Sequence, residues 1–163
     1  MKIKNRHRLK SKDIKIFQNE LKNIFEPFFI DEKALVEKGD LDGIKIILVD
    51  GKPCFMYYEK KIFFTLTGIN KYSPKKKFVI VDMGAVKFVT SGADVMAPGI
   101  IDADESIDKN DQVWICDENH HKPLAVGIAI MTGEQMKKEK IGKAIKTIHY
   151  VGDKVWNFSA KSL

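Results

Sequence analysis

Residues 78–100 constrain the fold of this chain more than any other part of its sequence. Phe78–Val81 opens the stretch as a β-branched and aromatic run, which is typical of a buried strand. Asp82 follows, and its carboxylate is suited to accept from the first amides of a helix that continues to Val89. Gly92 stands where a left-handed residue ends a helix. The stretch therefore predicts a strand, a short helix, a second strand and a turn in close succession.

The first turn of this predicted helix carries almost no side chains. Gly84 and Ala85 leave its backbone amides accessible, and Lys87 adds a positive charge close by. Because helix N-termini favour anions, the turn is suited to contact a phosphate group of a ligand. The alternative is that the small residues only permit close packing and that Lys87 faces water. Local physics alone leaves both interpretations open.

The order of residues in this stretch is more specific than its predicted secondary structure. The residues concerned are Gly84-Ala85-Val86-Lys87-Phe88-Val89, Ser91-Gly92-Ala93, Val95-Met96 and Pro98-Gly99-Ile100. They resemble the opening of a PUA domain, the small RNA-binding barrel named for pseudouridine synthases and archaeosine transglycosylases. More narrowly, they resemble the free-standing PUA proteins of the malignant T-cell amplified sequence family, in archaeal form. The similarity covers most of residues 78–158 and is loose before them.

The resemblance implies a function and a site. It implies RNA binding in translation, with contact to the tRNA acceptor end and the small ribosomal subunit in initiation, reinitiation or recycling. One alternative is a non-catalytic subunit that delivers tRNA to a separate modification enzyme, and another is a protein–protein adaptor whose barrel no longer binds RNA. The expected RNA-binding residues are Gly84, Ala85, Val86, Lys87, Gly92, Ala93, Pro98 and Gly99, with the lysine run Lys75, Lys76 and Lys77 beside them.

Charge is distributed unevenly along the chain. The net charge is +6, but residues 1–77 hold 18 basic against 10 acidic side chains, whereas residues 78–163 hold 10 against 12. A basic excess confined to one half is expected where that half faces a polyanion. A solvated lysine-rich surface explains the same numbers, so charge alone does not decide between them.

The front half of the chain reads as one helix on a small antiparallel sheet. Apolar residues at spacings of three and four predict a helix over Lys12–Phe25, capped by Ser11 and ended by Pro27. Asp50-Gly51 is the strongest two-residue hairpin signal in the sequence. The predicted strands are Ala34–Glu37, Ile44–Val49, Phe55–Tyr58 and Ile62–Thr67.

The second half reads as short strands separated by turns, which favours a small barrel. Val113–Cys116 and Leu124–Ile130 pair, and Thr132 with Gln135 forms a capping box that starts a helix running through Lys140. The predicted closing hairpin joins Ala144–Tyr150 to Lys154–Phe158. We therefore expect an α+β chain: an N-terminal helix-plus-antiparallel-sheet domain over residues 1–74, and a PUA-type β-barrel with short helices over residues 75–159.

The sequence also indicates what this protein does not do. Too few residues precede the barrel for the catalytic domain of a pseudouridine synthase or transglycosylase, and no nucleophile elbow or phosphate-binding loop is present. Two isolated cysteines lack the spacing of a zinc site, and His120-His121 has no third ligand nearby. We expect no enzyme activity, metal or cofactor. Without a signal peptide or membrane span we expect a cytoplasmic protein, whose protein partner the sequence does not identify.

Overall fold

The computed structural model describes residues 2–26 and 28–161. The chain divides into two compact units, Met1–Pro74 together with Lys154–Leu163, and Lys75–Asp153. In chain order, the strands and helices are β1 (Lys4–Arg8), α1 (Ser11–Ile24), β2 (Val36–Leu41), β3 (Ile44–Val49), β4 (Lys52–Tyr58), β5 (Lys61–Phe64), α2 (Leu66–Tyr72), β6 (Phe78–Val81), α3 (Met83–Val89), β7 (Val95–Met96), β8 (Ile100–Ala103), β9 (Gln112–Asp117), β10 (Pro123–Ala129), α4 (Gly133–Lys138), β11 (Lys143–Tyr150) and α5 (Lys154–Lys161).

The first unit is built on a five-stranded antiparallel sheet in the order β1-β2-β3-β4-β5. Its core is aromatic: the ring of Phe64 lies 4.9 Å from that of Phe25 and 5.1 Å from that of Phe55, between ring centroids. Phe17 and Leu21 on one face of α1 are buried with them. The apolar stripe of α1 therefore performs the core-packing role that its spacing predicts.

The predicted boundaries of α1 need correction at its start. The helix begins at Ser11 itself, and the residue before it, Lys10, provides no side-chain hydrogen bond to the first turn. The hydroxyl of Ser11 is therefore not the cap. Pro27, which we expected to end the helix, lies outside the described residues.

The predicted hairpin at Asp50-Gly51 is present. Both residues have positive φ, and Val49 pairs with Lys52 across the turn that they form.

The second unit is a six-stranded mixed sheet in the order β7-β11-β10-β9-β6-β8. All its pairs are antiparallel except β6 with β9, which run parallel. The sheet curls into a half-barrel around a core of small and β-branched side chains, among them Val79, Val113, Ile115, Ala125 and Ile145. The predicted α+β fold is confirmed: an antiparallel sheet with its helix, followed by a curled β-sheet with short helices.

The C-terminal segment differs from its prediction. Lys154–Phe158 was expected as the last strand of a hairpin, but α5 spans Lys154–Lys161 and groups with the first unit. Val155 and Ser159 are buried four residues apart, and the hydroxyl of Ser159 donates to the carbonyl of Val155 at 3.0 Å. This spacing is helical, and the prediction of a short strand overlooked it.

The helix α4 follows its sequence signal more closely. The Thr132 hydroxyl accepts from the amide of Gln135, and the Gln135 side chain accepts from the amide of Thr132, so the predicted capping box is confirmed. The helix ends at Lys138, two residues before the predicted Lys140. None of the helices in the described part of the chain is long and apolar enough to cross a membrane.

Candidate nucleic-acid interface

The start of α3 is held by hydrogen bonds on both sides of Asp82. Its carboxylate accepts from the amide of Ala85 at 2.8 Å, which confirms the predicted cap, and its own amide donates to the carbonyl of Gly99 at 2.9 Å. A Cβ atom on Gly99 would lie 3.1 Å from the Cβ of Ala85, so the turn at Pro98-Gly99 packs closely against the first turn of α3. The small residues of the motif therefore serve this close approach.

A groove of about 580 Å³ lies between α3 and the segment that carries β7. We call it the α3 groove. Five of its lining residues belong to the expected RNA-binding set: Gly84, Ala85, Ala93, Pro98 and Gly99. Six others were not in that set: Asp82, Phe88, Val89, Asp94, Val95 and Met96. The structure thus gathers most of the small residues that the resemblance singled out and adds apolar and acidic neighbours.

Two large apolar side chains border the α3 groove and remain open to solvent. Phe88 is 57% exposed and Met96 is 48% exposed, whereas the neighbouring Ile100 is buried in the core. An exposed ring of this kind is suited to stack on a nucleobase, which is a sequence-tolerant contact. The sequence contained a signal for Phe88, because it follows Gly84 by four residues and so shares its helix face.

The first amides of α3 are not bare, contrary to our prediction. The amide of Met83 donates to the carboxylate of Glu118 at 2.7 Å, and that of Ala85 donates to Asp82. The parallel pairing of β6 with β9 sets Val81 opposite Asp117, so Glu118 emerges beside the start of α3. Two carboxylates at this turn oppose the binding of a phosphate there. The local sequence gave no sign of Glu118 because the contact depends on strand pairing.

The second carboxylate that lines the α3 groove, that of Asp94, connects the groove to β11. Asp94 lies 2.9 Å from the ammonium group of Lys143 and also accepts from the amide of Thr147 at 2.9 Å. The hydrogen bond from Lys143 lowers the pKa of Asp94 below its usual value, so the carboxylate stays ionised. Apolar walls with carboxylate acceptors suit a base edge that carries amino donors better than they suit a phosphate.

Of three more expected residues, Gly92 and Val86 have mainly structural positions and Lys87 does not. Gly92 has a φ of +91°, and a Cβ atom there would lie 2.7 Å from the ring of Tyr150, so both its backbone and its packing exclude a side chain. Val86 is half-buried against the core. Lys87 is exposed, and its ammonium group lies 5.1 Å from the centroid of the Phe88 ring. Of the three, Lys87 alone offers a charge to a ligand near the groove.

In the lysine run, Lys75 and Lys76 are exposed, whereas Lys77 forms contacts within the fold. The ammonium group of Lys77 contacts Asp111 at 2.9 Å and donates to the carbonyl of Ser106 at 2.6 Å, and its side chain is only 12% exposed. Its amide donates to Asp104. Lys77 is therefore held by contacts within its own unit, and its contact with RNA stays a prediction. The other two, Lys75 and Lys76, are exposed but do not line the α3 groove.

The histidines lie at separate places in the described part of the chain. In residues 2–26 and 28–161 no cluster of three or more His, Cys, Asp and Glu side chains is arranged to hold an ion. His120 and His121 are exposed on the loop between β9 and β10. His149 is buried, and its Nδ1 lies 2.7 Å from the carboxylate of Asp153.

Both units are similar to known protein families. The family model for the PUA domain matches residues 77–151, and a domain of unknown function, DUF1947, matches residues 5–72. An uncharacterized protein of Methanocaldococcus jannaschii is 49% identical over 97% of this chain and 99% of its own length. Translation machinery-associated protein 20 of Saccharomyces cerevisiae is 35% identical over 74% of this chain and 70% of its own length. The crystal structure of a hypothetical protein from Pyrococcus horikoshii OT3 has a TM-score of 0.85 and 38% identity, covering 94% of this chain and 99% of that one.

Proposed function

Because this chain belongs to the PUA-domain family that includes translation machinery-associated protein 20 and malignant T-cell-amplified sequence 1, we propose that it binds the acceptor end of tRNA in translation. The PUA domain makes it an RNA-binding protein, and its named homologues are associated with translation. The specific RNA and the step in translation are our proposal. The role is a non-catalytic one, and it requires no metal or cofactor.

The observation that carries the proposal is the chemistry of the α3 groove. Its exposed apolar side chains, Phe88 and Met96, are suited to contact the faces of unpaired bases. Its carboxylates, Asp82 and Asp94, are acceptors for the exocyclic amino groups that cytosine and adenine carry and uracil lacks. An unpaired CCA end presents such bases, whereas the deep major groove of an RNA duplex is closed to side chains.

The tRNA end is contacted, in this proposal, on the small ribosomal subunit during initiation, reinitiation or recycling, and the protein acts in the cytoplasm. The homologues associated with translation favour this setting over delivery of tRNA to a separate modification enzyme. Co-sedimentation with small ribosomal subunits separates the two candidates. A protein that binds tRNA but never sediments with subunits would support the delivery role instead.

The acceptor-end proposal is tested by competition between intact tRNA and the same tRNA trimmed of its terminal CCA. We expect trimming to lower affinity at least about tenfold, since stacking alone contributes about 1–3 kcal/mol per base. Phe88→Ala should lower the affinity for intact tRNA and abolish the difference between the two RNAs. Ile141→Ala serves as its control, because Ile141 is 83% exposed in the same unit but does not line the α3 groove. Equal affinity of the unaltered protein for both RNAs would contradict acceptor-end recognition.

A further inference from the structure

A second groove, of about 600 Å³, lies wholly within the first unit. Three segments line it: the start of β4 with the turn before it, the helix α2, and the C-terminal helix α5. We call it the Trp156 groove, after the indole that α5 contributes to its wall. Its other lining residues are Asp50, Lys52, Pro53, Thr67, Asn70, Lys71, Ser159 and Ala160. None of these belongs to the α3 groove, so the two grooves are separate features of the molecule.

Two lysines line the Trp156 groove, and the ammonium group of Lys71 lies 5.6 Å from the centroid of the Tyr72 ring. Lys52 and Lys71 are both exposed, and neither forms an ion pair among the described residues. Burial raises the pKa of the Cys54 thiol to about 11, and the positive charges of both lysines act against that rise. Lys52 opens β4 and Lys71 lies in the last turn of α2, so both bring a cation to the groove, whose one carboxylate is that of Asp50.

The groove also has one acidic residue, so its two lysines stand against a single carboxylate. The carboxylate of Asp50 accepts from the amide of Leu35 at 2.8 Å, a contact that holds the chain before β2. The groove thus differs from the α3 groove, where Asp94 faces the ligand space and its cation, Lys143, is paired with it. The Trp156 groove combines cations that have no carboxylate partner with an aromatic wall, and the α3 groove combines carboxylates with an aromatic wall.

The charge of the whole unit has the same sign. Residues 1–74 and 154–163 hold 17 basic and 10 acidic side chains, a net charge of +7, whereas residues 75–153 hold 11 and 12, a net charge of −1. A polyanion is therefore attracted to the first unit rather than to the second. Cations that meet phosphates, set beside an aromatic face on which a base stacks, are the combination used by proteins that bind single-stranded nucleic acid.

We propose that the Trp156 groove binds single-stranded RNA, with a base stacked on Trp156 and the adjoining phosphates contacted by Lys52 and Lys71. This contact rests on the RNA-binding function proposed above and adds a second site to it, different in chemistry from the α3 groove. Asn70 and Thr67 provide amide and hydroxyl groups for the base edge or the ribose. Because the stacking wall accepts any base, the groove follows the RNA strand without reading its sequence.

The test uses dodecauridylate, U12, whose bases lack the amino donors that suit the α3 groove. The chain contains two tryptophans, so a Trp114→Phe variant leaves Trp156 as the only indole to report binding by fluorescence. We expect U12 to quench this fluorescence. Lys52→Ala combined with Lys71→Ala should weaken binding about tenfold and lower the slope of log affinity against log salt by about 1.4, or about 0.7 for each phosphate that the variant no longer binds.

Matched variants separate this contact from general attraction and from unfolding. Lys61→Ala removes one exposed charge from the same unit without touching the groove, and its affinity for U12 should stay within about twofold of the parent, as expected for one solvated lysine. Trp156→Phe keeps an aromatic face and should retain most of the affinity, whereas Trp156→Ala should bind U12 poorly while thermal melting confirms a folded chain.

The outcomes also separate the two proposals. If CCA-dependent tRNA binding is present but U12 neither binds nor quenches Trp156, the groove proposal is wrong and the proposed function stands. If U12 quenches Trp156 but tRNA binding ignores the CCA end, the groove proposal stands and acceptor-end recognition is wrong. A decaglutamate peptide that quenches Trp156 and displaces U12 at equal concentration would assign the groove to acidic protein segments and overturn the RNA proposal.

Discussion

At the scale of single residues, Lys77 shows how one side chain can change roles between sequence and structure. It reads as part of an exposed lysine run, yet its ammonium group lies between the Asp111 carboxylate and the Ser106 carbonyl and is largely buried. We predict that Lys77→Met lowers the free energy of unfolding by about 2 kcal/mol, because a hydrogen-bonded charge is removed and a carboxylate keeps no cation. Urea unfolding measures this change. The neighbouring Lys76→Met, at an exposed position, should change stability by less than about 0.5 kcal/mol, and equal destabilisation by both would contradict the assigned role.

At the scale of elements, Asp94 joins the segment before β7 to β11 through Thr147 and Lys143. Its pKa is lowered chiefly by the hydrogen bond from Lys143, so it stabilises the fold above the ordinary aspartate pKa of about 3.9 and loses that effect as pH falls through the lowered folded-state value. Asp94→Asn should therefore lower the melting temperature at pH 7, and the difference from the parent should shrink below about pH 3.9. Thermal melts between pH 7 and pH 2 measure this. The exposed Asp108→Asn is the control, and a difference that is independent of pH would exclude the ion pair as its cause.

At the scale of the whole molecule, the two proposals assign attraction of RNA to the first unit and recognition of its end to the second. The first unit carries a net charge of +7 and the second −1, so we expect long-range attraction of RNA to come from the first. Replacing Lys10, Lys12 and Lys22 with Gln should flatten the salt dependence of tRNA binding by up to about 2 in slope while leaving the preference for a CCA end intact. The matched triple replacement in the second unit, at Lys109, Lys122 and Lys140, should change the slope by less than about 0.7. Binding measured from about 50 to about 300 mM salt distinguishes the two, and identical slopes for both variants would show that the charge asymmetry has no part in RNA binding.

Short-range sequence patterns were sufficient to predict several local features of the structure. The cap at Asp82, the hairpin at Asp50-Gly51 and the capping box of α4 each depend on residues no more than three positions apart, and each is present as the sequence predicts. The order of small residues from Gly84 to Gly99 also led to the groove that five of them line. Local hydrogen bonds and turn preferences are encoded locally, so they can be read without knowing the fold.

Contacts between distant parts of the chain were decided only by the tertiary structure. Glu118 reaches the first turn of α3 because β6 and β9 run parallel. Lys77 pairs with Asp111, which lies 34 positions further along the sequence. Trp156 faces a groove because α5 packs with the first unit after the whole second unit has intervened. Pairing direction, strand register and helix docking are set by the burial of the entire core, and no short stretch of sequence contains that information.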